Sequence, residues 1–223
     1  MEDNIEIRNK IRRKNDYRKV EEMVREAFWN LYVPGASEHF IPYYLRDSEV
    51  TIPELNFVAV KDGEIVGYIF YTKAEVRDKN GKAHEILNFG PLCVDPKYHN
   101  LGIGKALIEH SKKAAAEMGY KGIAIYGYPG YYTRVGFQSA AKFGIARADG
   151  VFVKALLAME LYPSSLEGIS GNLHEFLSDI PFGGDEFLEY ESTFPPKEKR
   201  HEPSQDTFAE MADKLEDPEN IKI

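Results

Sequence analysis

Apolar and polar residues alternate over positions 4–11, with Ile5, Ile7 and Ile11 on one face, which predicts a first strand. Asn15-Asp16 is suited to cap a following helix whose apolar stripe is Tyr17, Val20, Val24, Ala27 and Phe28. A second helical piece starts near Ser37 and is expected to be interrupted at Pro42, which has no N–H to donate. Residues 55–60 and 65–76 form two strand-like runs around Lys61-Asp62-Gly63-Glu64, and Asp-Gly is a strong hairpin signal. Asn80-Gly81 repeats that signal before a third run at 83–94, so three antiparallel strands are predicted as a meander.

The period then changes. Ile103, Ala106, Leu107, Ala114 and Met118 lie at helical spacing within 102–118, and Gly119 falls where a helix ends. A short apolar strand at 122–127 follows. Strand, helix and strand in about forty residues make a βαβ unit, whose two strands run parallel. A short helix or turn at 130–135 and a further strand at 151–161 complete the pattern. Beyond Tyr162 the chain reads as loop at Pro163-Ser164-Ser165 and Phe182-Gly183-Gly184. Residues 194–203 read as a linker or surface extension, and a weak helix is predicted at 204–215. The fold class is α/β with a mixed sheet. The expected division is a domain at 1–161 and a C-terminal extension at 162–223, packed on it or partly extended.

Composition adds exclusions. The 223 residues suit one or two domains, and 43% hydrophobic with 29% charged residues is ordinary for a globular chain. The longest apolar run, 65–71, is far below the ~20 residues a bilayer span needs. The acidic start, Met1 to Asn4, has no signal-peptide pattern, so a cytoplasmic protein with no membrane partner is expected. A net charge of −8 argues against nucleic acid, which selects basic surfaces. One cysteine, Cys93, leaves no internal disulfide and no cysteine cluster for a metal, and the six histidines show no ligand spacing. No metal is expected.

Candidate chemistry concentrates at 94–105, where a strand ends, the glycine loop His99-Asn100-Leu101-Gly102-Ile103-Gly104 follows and a helix begins. Unpaired N–H groups at a helix start and the helix dipole favour an anion, commonly a phosphate. The glycines let backbone approach a ligand closely, and Lys105 adds a charge that could equally be solvated. The spacing is not that of a Walker loop, and Leu107 stands where a dinucleotide fingerprint needs its third glycine. The segment Tyr131-Tyr132-Thr133-Arg134-Val135-Gly136-Phe137 puts two phenols after a strand end, near that loop, and aromatic packing alone would also explain them.

Together, Leu92-Cys93-Val94-Asp95-Pro96, the glycine loop, the strand at 122–126 and the Tyr131–Phe137 segment resemble the GNAT superfamily of N-acetyltransferases over about residues 4–160, most strongly over 88–137. Ser37-Glu38-His39, Leu45-Arg46 and Val58-Ala59-Val60 look like a subgroup of uncharacterised bacterial members. The resemblance implies a mostly antiparallel sheet whose one parallel pair splays to hold acetyl-CoA, with helices on both faces. It implies pyrophosphate on the amides of Asn100, Leu101, Gly102, Ile103, Gly104 and Lys105, with Tyr131 and His99 nearby. It also implies a pantetheine arm along the open strand edge, and backbone N–H groups around Leu92, Cys93 and Val94 facing the thioester oxygen. Tyr132 matches the general acid for the departing thiolate.

Two positions depart from the family pattern. His99 replaces the usual Gln or Arg, which would add mild pH sensitivity or simply be solvated. Asn88 stands where histone-modifying members carry a glutamate base, and an amide cannot take a proton that way. Glu85, three residues off, faces the other side under strict alternation unless a bulge intervenes. A water relay held by Asn88, or an acceptor amine of low pKa, would serve instead. Cys93 reads as a buried packing residue before it reads as an acyl carrier. Phe28, Trp29, Tyr43 and Tyr44 lie where the family roofs its acceptor site, and Phe28 and Trp29 read as core. The acceptor is expected to be a small-molecule or peptide amine. The alternative is a non-catalytic acyl-CoA-binding or regulatory module. Residues 162–223 could cap the acceptor cleft, form a homodimer interface or pad the sheet.

Overall fold

The computed structural model describes residues 5–9 and 14–221, so Met1 to Asn4, Ile11 and the side chain of the expected cap Asn15 lie outside the description. Strand β1 spans Glu6–Asn9, and helix α1, Lys14–Phe28, starts ahead of the expected cap, with Asp16 in its first turn, where the helix dipole favours an acid. Helix α2, Phe40–Tyr44, contains Pro42 and is not broken by it. In a first turn the missing N–H would have had no partner anyway.

β2 (Phe57–Lys61), β3 (Glu64–Arg77) and β4 (Ala83–Val94) form the expected meander. Its first turn places Asp62 at φ +52° and Gly63 at φ +84°, the doubly left-handed pair that matches strand twist in a two-residue hairpin. Helix α3 (Ile103–Glu117) then leads to β5 (Gly122–Tyr126), parallel to β4. Helix α4 (Pro129–Tyr132) and the two-residue strands β6 (Gln138–Ser139) and β7 (Ile145–Ala146) precede β8. β8 is Leu156–Glu160, shorter than expected, because Val153 instead bridges to Leu215. The sheet order is β1-β2-β3-β4-β5-β8-β6.

Residues after Tyr162 join this sheet. β9 (Gly171–Glu175) pairs with the Ala74–Arg77 end of β3, beyond where β2 stops, and runs parallel to β7, adding a second short parallel pair. Helix α5 spans Asp185–Ser192, and α6 spans Pro203–Ala212. One sheet face packs Leu87 and Phe89 against Leu107 and Ile108 of α3. The other packs Val58, Phe70 and Cys93 against Val20 and Val24 of α1, Phe40 of α2 and Phe187 and Tyr190 of α5. Helices therefore cover both faces. No helix among the described residues is long and apolar enough to cross a membrane.

β4 positions the site through two irregularities. It pairs with β5 in a single register position, Leu87 opposite Ile123, and the strands part beyond it. Its pairing with β3 slips between Ile69 and Tyr71, which face Leu92 and Phe89, so Gly90 and Pro91 form a bulge. The bulge reverses the alternation. Phe89 before it and Leu92 and Val94 after it share the α3 face, while Cys93 turns to the α1 face. From Glu85 to Asn88 the pairing is regular, so Glu85 does point away from Asn88 and is exposed.

Candidate active site

Where β4 and β5 part, two cavities of about 460 and 420 Å3 share Phe28, Tyr32, Leu92 and Tyr132 as walls and form one bent cleft. The first is floored by the glycine loop. Asn100 (φ +64°) and Gly102 (φ +76°) are both left-handed, a conformation cheap only for glycine and tolerated by asparagine. Gly102 caps α3 without any side-chain bond, and the first intrahelical bond runs from Ala106 N–H to the Gly102 carbonyl. The N–H groups of Ile103, Gly104 and Lys105 thus have no helical acceptor, and the helix dipole adds to their positive field. The two glycines act differently. Nothing lies within 4 Å of a Cβ built on Gly102, whereas one on Gly104 would stand 2.7 Å from the Tyr131 hydroxyl.

Of the loop residues, His99, Asn100, Gly102, Ile103, Gly104 and Lys105 line the first cavity, and so do Leu92, Cys93, Val94 and Tyr131. Leu101 does not, being 47% exposed on the outer side of the turn. His99 is not simply solvated. Its Nε2–H donates to the Val94 carbonyl at 3.1 Å and ties the loop back to β4. Asp95 N–H bonds to Val66 on β3 at 2.9 Å, so strand alternation turns the N–H groups of Leu92 and Val94 toward the open edge. Cys93 is 5% exposed, and burial pushes its thiol far up, so it stays a protonated packing group and not a nucleophile.

Tyr132 stands at the bend. Its ring packs 5.5 Å from Phe137, 6.0 Å from Phe89 and 5.0 Å from Tyr131. It also lies against Gly127, where a Cβ would come within 2.3 Å of the ring. Burial, then the neighbouring Tyr32 phenol, pushes its pKa well up, which keeps the proton on oxygen. Its hydroxyl has no hydrogen-bond partner among the described residues.

The second cavity holds groups that the sequence left unassigned. Asn88 is 2% exposed, and its Nδ2 donates to the Ala124 carbonyl at 2.8 Å. Its Oδ1 is buried without a partner, as is Oγ1 of Thr72 opposite it on β3. Glu38, in the turn before α2, accepts from Ser37 N–H at 3.0 Å, and burial raises its pKa. Glu175, at the end of β9, accepts from Leu177 and Ser178 N–H at 2.7 and 3.1 Å, and burial raises its pKa too. Phe28, expected in the core, lines both cavities. Trp29 lies outside both, with Arg25 4.2 Å and Lys197 5.1 Å from its ring. Tyr43 and Tyr44 also lie outside, and Tyr43 stacks on Tyr190 at 4.3 Å. Glu38 carried a signal that alternation could not reveal, because it sits in an irregular turn. Glu175 lay in a stretch with no motif. Among the described residues no group of three His, Cys, Asp or Glu could hold a metal ion.

Comparison with known proteins bears on this geometry. Residues 53–139 match the model of the acetyltransferase (GNAT) domain. The chain is 28% identical over 118 residues to the uncharacterized N-acetyltransferase YhbS of Escherichia coli K12, covering 52% of this chain and 69% of that protein. It is 32% identical over 98 residues to the uncharacterized N-acetyltransferase YjhQ of the same strain, covering 44% of this chain and 53% of that one. Among solved structures, Escherichia coli YhbS in complex with CoA superposes with a TM-score of 0.68 at 25% identity, over 80% of this chain and 93% of that one. A GNAT acetyltransferase from Brucella melitensis in complex with acetyl-CoA shares the fold at a TM-score of 0.60 and 22% identity, over 78% and 96% of the two chains.

Proposed function

This chain carries the acetyltransferase domain of the GNAT superfamily, and on that premise we propose that it moves the acetyl group of acetyl-CoA directly to an amine held beside Tyr132. The observation that carries the reading is the bent cleft, with unbonded helix amides along one arm and an unpartnered phenol at the bend. The residues suit a coenzyme A thioester. The amides of Ile103, Gly104 and Lys105 would receive the pyrophosphate. The open edge of β4 would take the pantetheine arm as an added strand, with Leu92 or Val94 N–H directed at the thioester oxygen, where negative charge develops. The bound forms of YhbS and the Brucella protein support this choice of co-substrate.

Tyr132 keeps its proton at neutral pH and gives it to sulfur as the C–S bond breaks. The phenol is a weaker acid than a thiol, so the transfer completes only because the newly acylated nitrogen must itself lose a proton, which restores the phenol. Tyr132→Phe should lower kcat by roughly 10²- to 10⁴-fold, about 3–5 kcal/mol of barrier, with little change in acetyl-CoA affinity. Thiol release and titration calorimetry measure the two quantities, and an unchanged kcat across the pH range would remove the role from Tyr132. Asn88, unable to act as a base, favours the non-catalytic alternative. Tight acetyl-CoA binding without thiol release from any amine would establish that alternative.

A further inference from the structure

The second arm of the cleft is lined by two carboxyl groups and, among the described residues, by no Lys, Arg or His. Its remaining surface is largely aromatic and aliphatic, including Phe28, Phe182, Phe208, Leu177 and Ile41. Negative charge without a counter-ion in apolar surroundings is costly. A cation in this arm would relieve it, and an anion would add to it. The second, independent sign is Asn88. Its amide nitrogen is held by the Ala124 carbonyl, which can only accept, so the orphaned Oδ1 is fixed as an acceptor on the cavity wall. This acceptor is therefore open to a donor on an occupant of the arm.

Resting on the acetyl-transfer reading above, we propose that this arm binds a monocationic primary amine with an aromatic or branched apolar body, that Glu38 takes the ammonium proton, and that Glu175 and Asn88 Oδ1 hold the nitrogen. Glu38 is chosen as the base because Glu175 is held by two N–H bonds, from Leu177 at 2.7 Å and Ser178 at 3.1 Å, which favour its charged form and weaken it as a base, against one from Ser37 at 3.0 Å on Glu38. Glu175 acts on Tyr126 at the end of β5, whose phenol is pushed up to about 12 by burial and by that charge. The proton count closes. The ammonium gives one proton to Glu38, the C–N bond forms as C–S breaks, Tyr132 protonates sulfur, and the nitrogen's second surplus proton returns to Tyr132. Glu38 releases its proton to water. The titrating groups that line this arm with Glu38 are Tyr32 from the turn after α1, Tyr126 from β5, Tyr132 from α4 and Glu175 from β9. Asp179 acts on Glu175, and Arg147 and Asp149 act on Tyr126.

The test compares 2-phenylethylamine with phenylalanine, the same body bearing an added carboxylate, by thiol release from acetyl-CoA between pH 5 and 9. The amine should exceed the amino acid in kcat/KM by at least roughly a hundredfold, the order that unpaired buried charge confers. Glu38→Gln should cut kcat by roughly 10²- to 10⁴-fold and abolish the acidic limb of the pH–rate profile. Glu175→Gln should raise KM for the amine about tenfold. Calorimetry with acetyl-CoA on each variant checks folding and the donor arm together. If phenylalanine matches the amine, if neither is turned over while acetyl-CoA binds, or if Glu38→Gln keeps the acidic limb, this proposal is wrong and the donor assignment stands. If the unmodified protein shows no heat with acetyl-CoA, the reading under Proposed function is what fails.

Discussion

Tyr132 is positioned by what is missing beside it. Gly127 has no Cβ, and one added there would overlap the Tyr132 ring at 2.3 Å. Gly127→Ala should therefore displace the phenol and lower kcat at least about tenfold, since small misplacements at a reacting centre are expensive. Acetyl-CoA affinity should fall less than kcat, because Gly127 itself does not line the first arm and only the displaced Tyr132 does. Stopped-flow thiol release beside calorimetry separates the two, and equal losses in both would count against this account. The sequence identifies Tyr132 and the loop glycines by motif, yet it treats Gly102 and Gly104 alike. Only coordinates reveal that one answers to a dihedral angle and the other to the Tyr131 hydroxyl. Alternation likewise cannot carry Asn88 and Leu92 through the Gly90-Pro91 bulge in correct phase.

At the scale of elements, α5 is fastened to α1 and the turn before α2 by buried charge. Arg25 donates to Glu191 at 2.6 Å, and His39 Nε2–H donates to the same carboxylate at 2.7 Å. Burial would raise Glu191, but the Arg25 bonds hold it below its usual value. His39 is fully buried with Nδ1 unpartnered, and burial lowers its pKa to about 4 despite Glu191. An unfolded His39 would take its proton at about 6.5. Between those values the unfolded chain binds more protons, so stability is fully present above about pH 6.5 and falls as pH drops toward 4. The loss should reach the order of 3 kcal/mol, read as a falling urea midpoint across that window. His39→Asn should flatten that slope, and a midpoint in the native chain indifferent to pH from 7 to 4 would rule the mechanism out. Periodicity predicted α1, α3 and the meander, because each buries one regular face. α5 and β9 escaped it. Two turns of helix give too few repeats to show a period, and β9 alternates weakly, with Leu173 as its one buried side chain.

Across the whole molecule, residues 162–221 supply a strand, two helices and core, which makes them part of the folding unit in our reading. β9 covers the Ala74–Arg77 edge of β3, and Phe187, Tyr190 and Phe194 are at most 7% exposed. Losing three buried aromatic rings at roughly 3–5 kcal/mol each is comparable with the 5–15 kcal/mol that holds a typical domain together. A chain ending at Leu161 should accordingly show no cooperative thermal transition, and a melt within a few degrees of the full chain would contradict this. That last stretch is also where the sequence was least legible, since its role is set by contacts with residues over a hundred positions away, such as Arg25 with Glu191. The two arms of the cleft differ in origin. The glycine loop, Leu92 to Val94, Tyr131 and Tyr132 of the first arm lie inside the matched stretch, with the Ala27–Tyr32 wall outside it, while Glu38, Glu175, Phe182 and Phe208 of the second arm come from either flank. Divergence confined to the flanks could exchange one recipient molecule for another without disturbing the acetyl supply, so two proteins alike across 53–139 need share no physiological task.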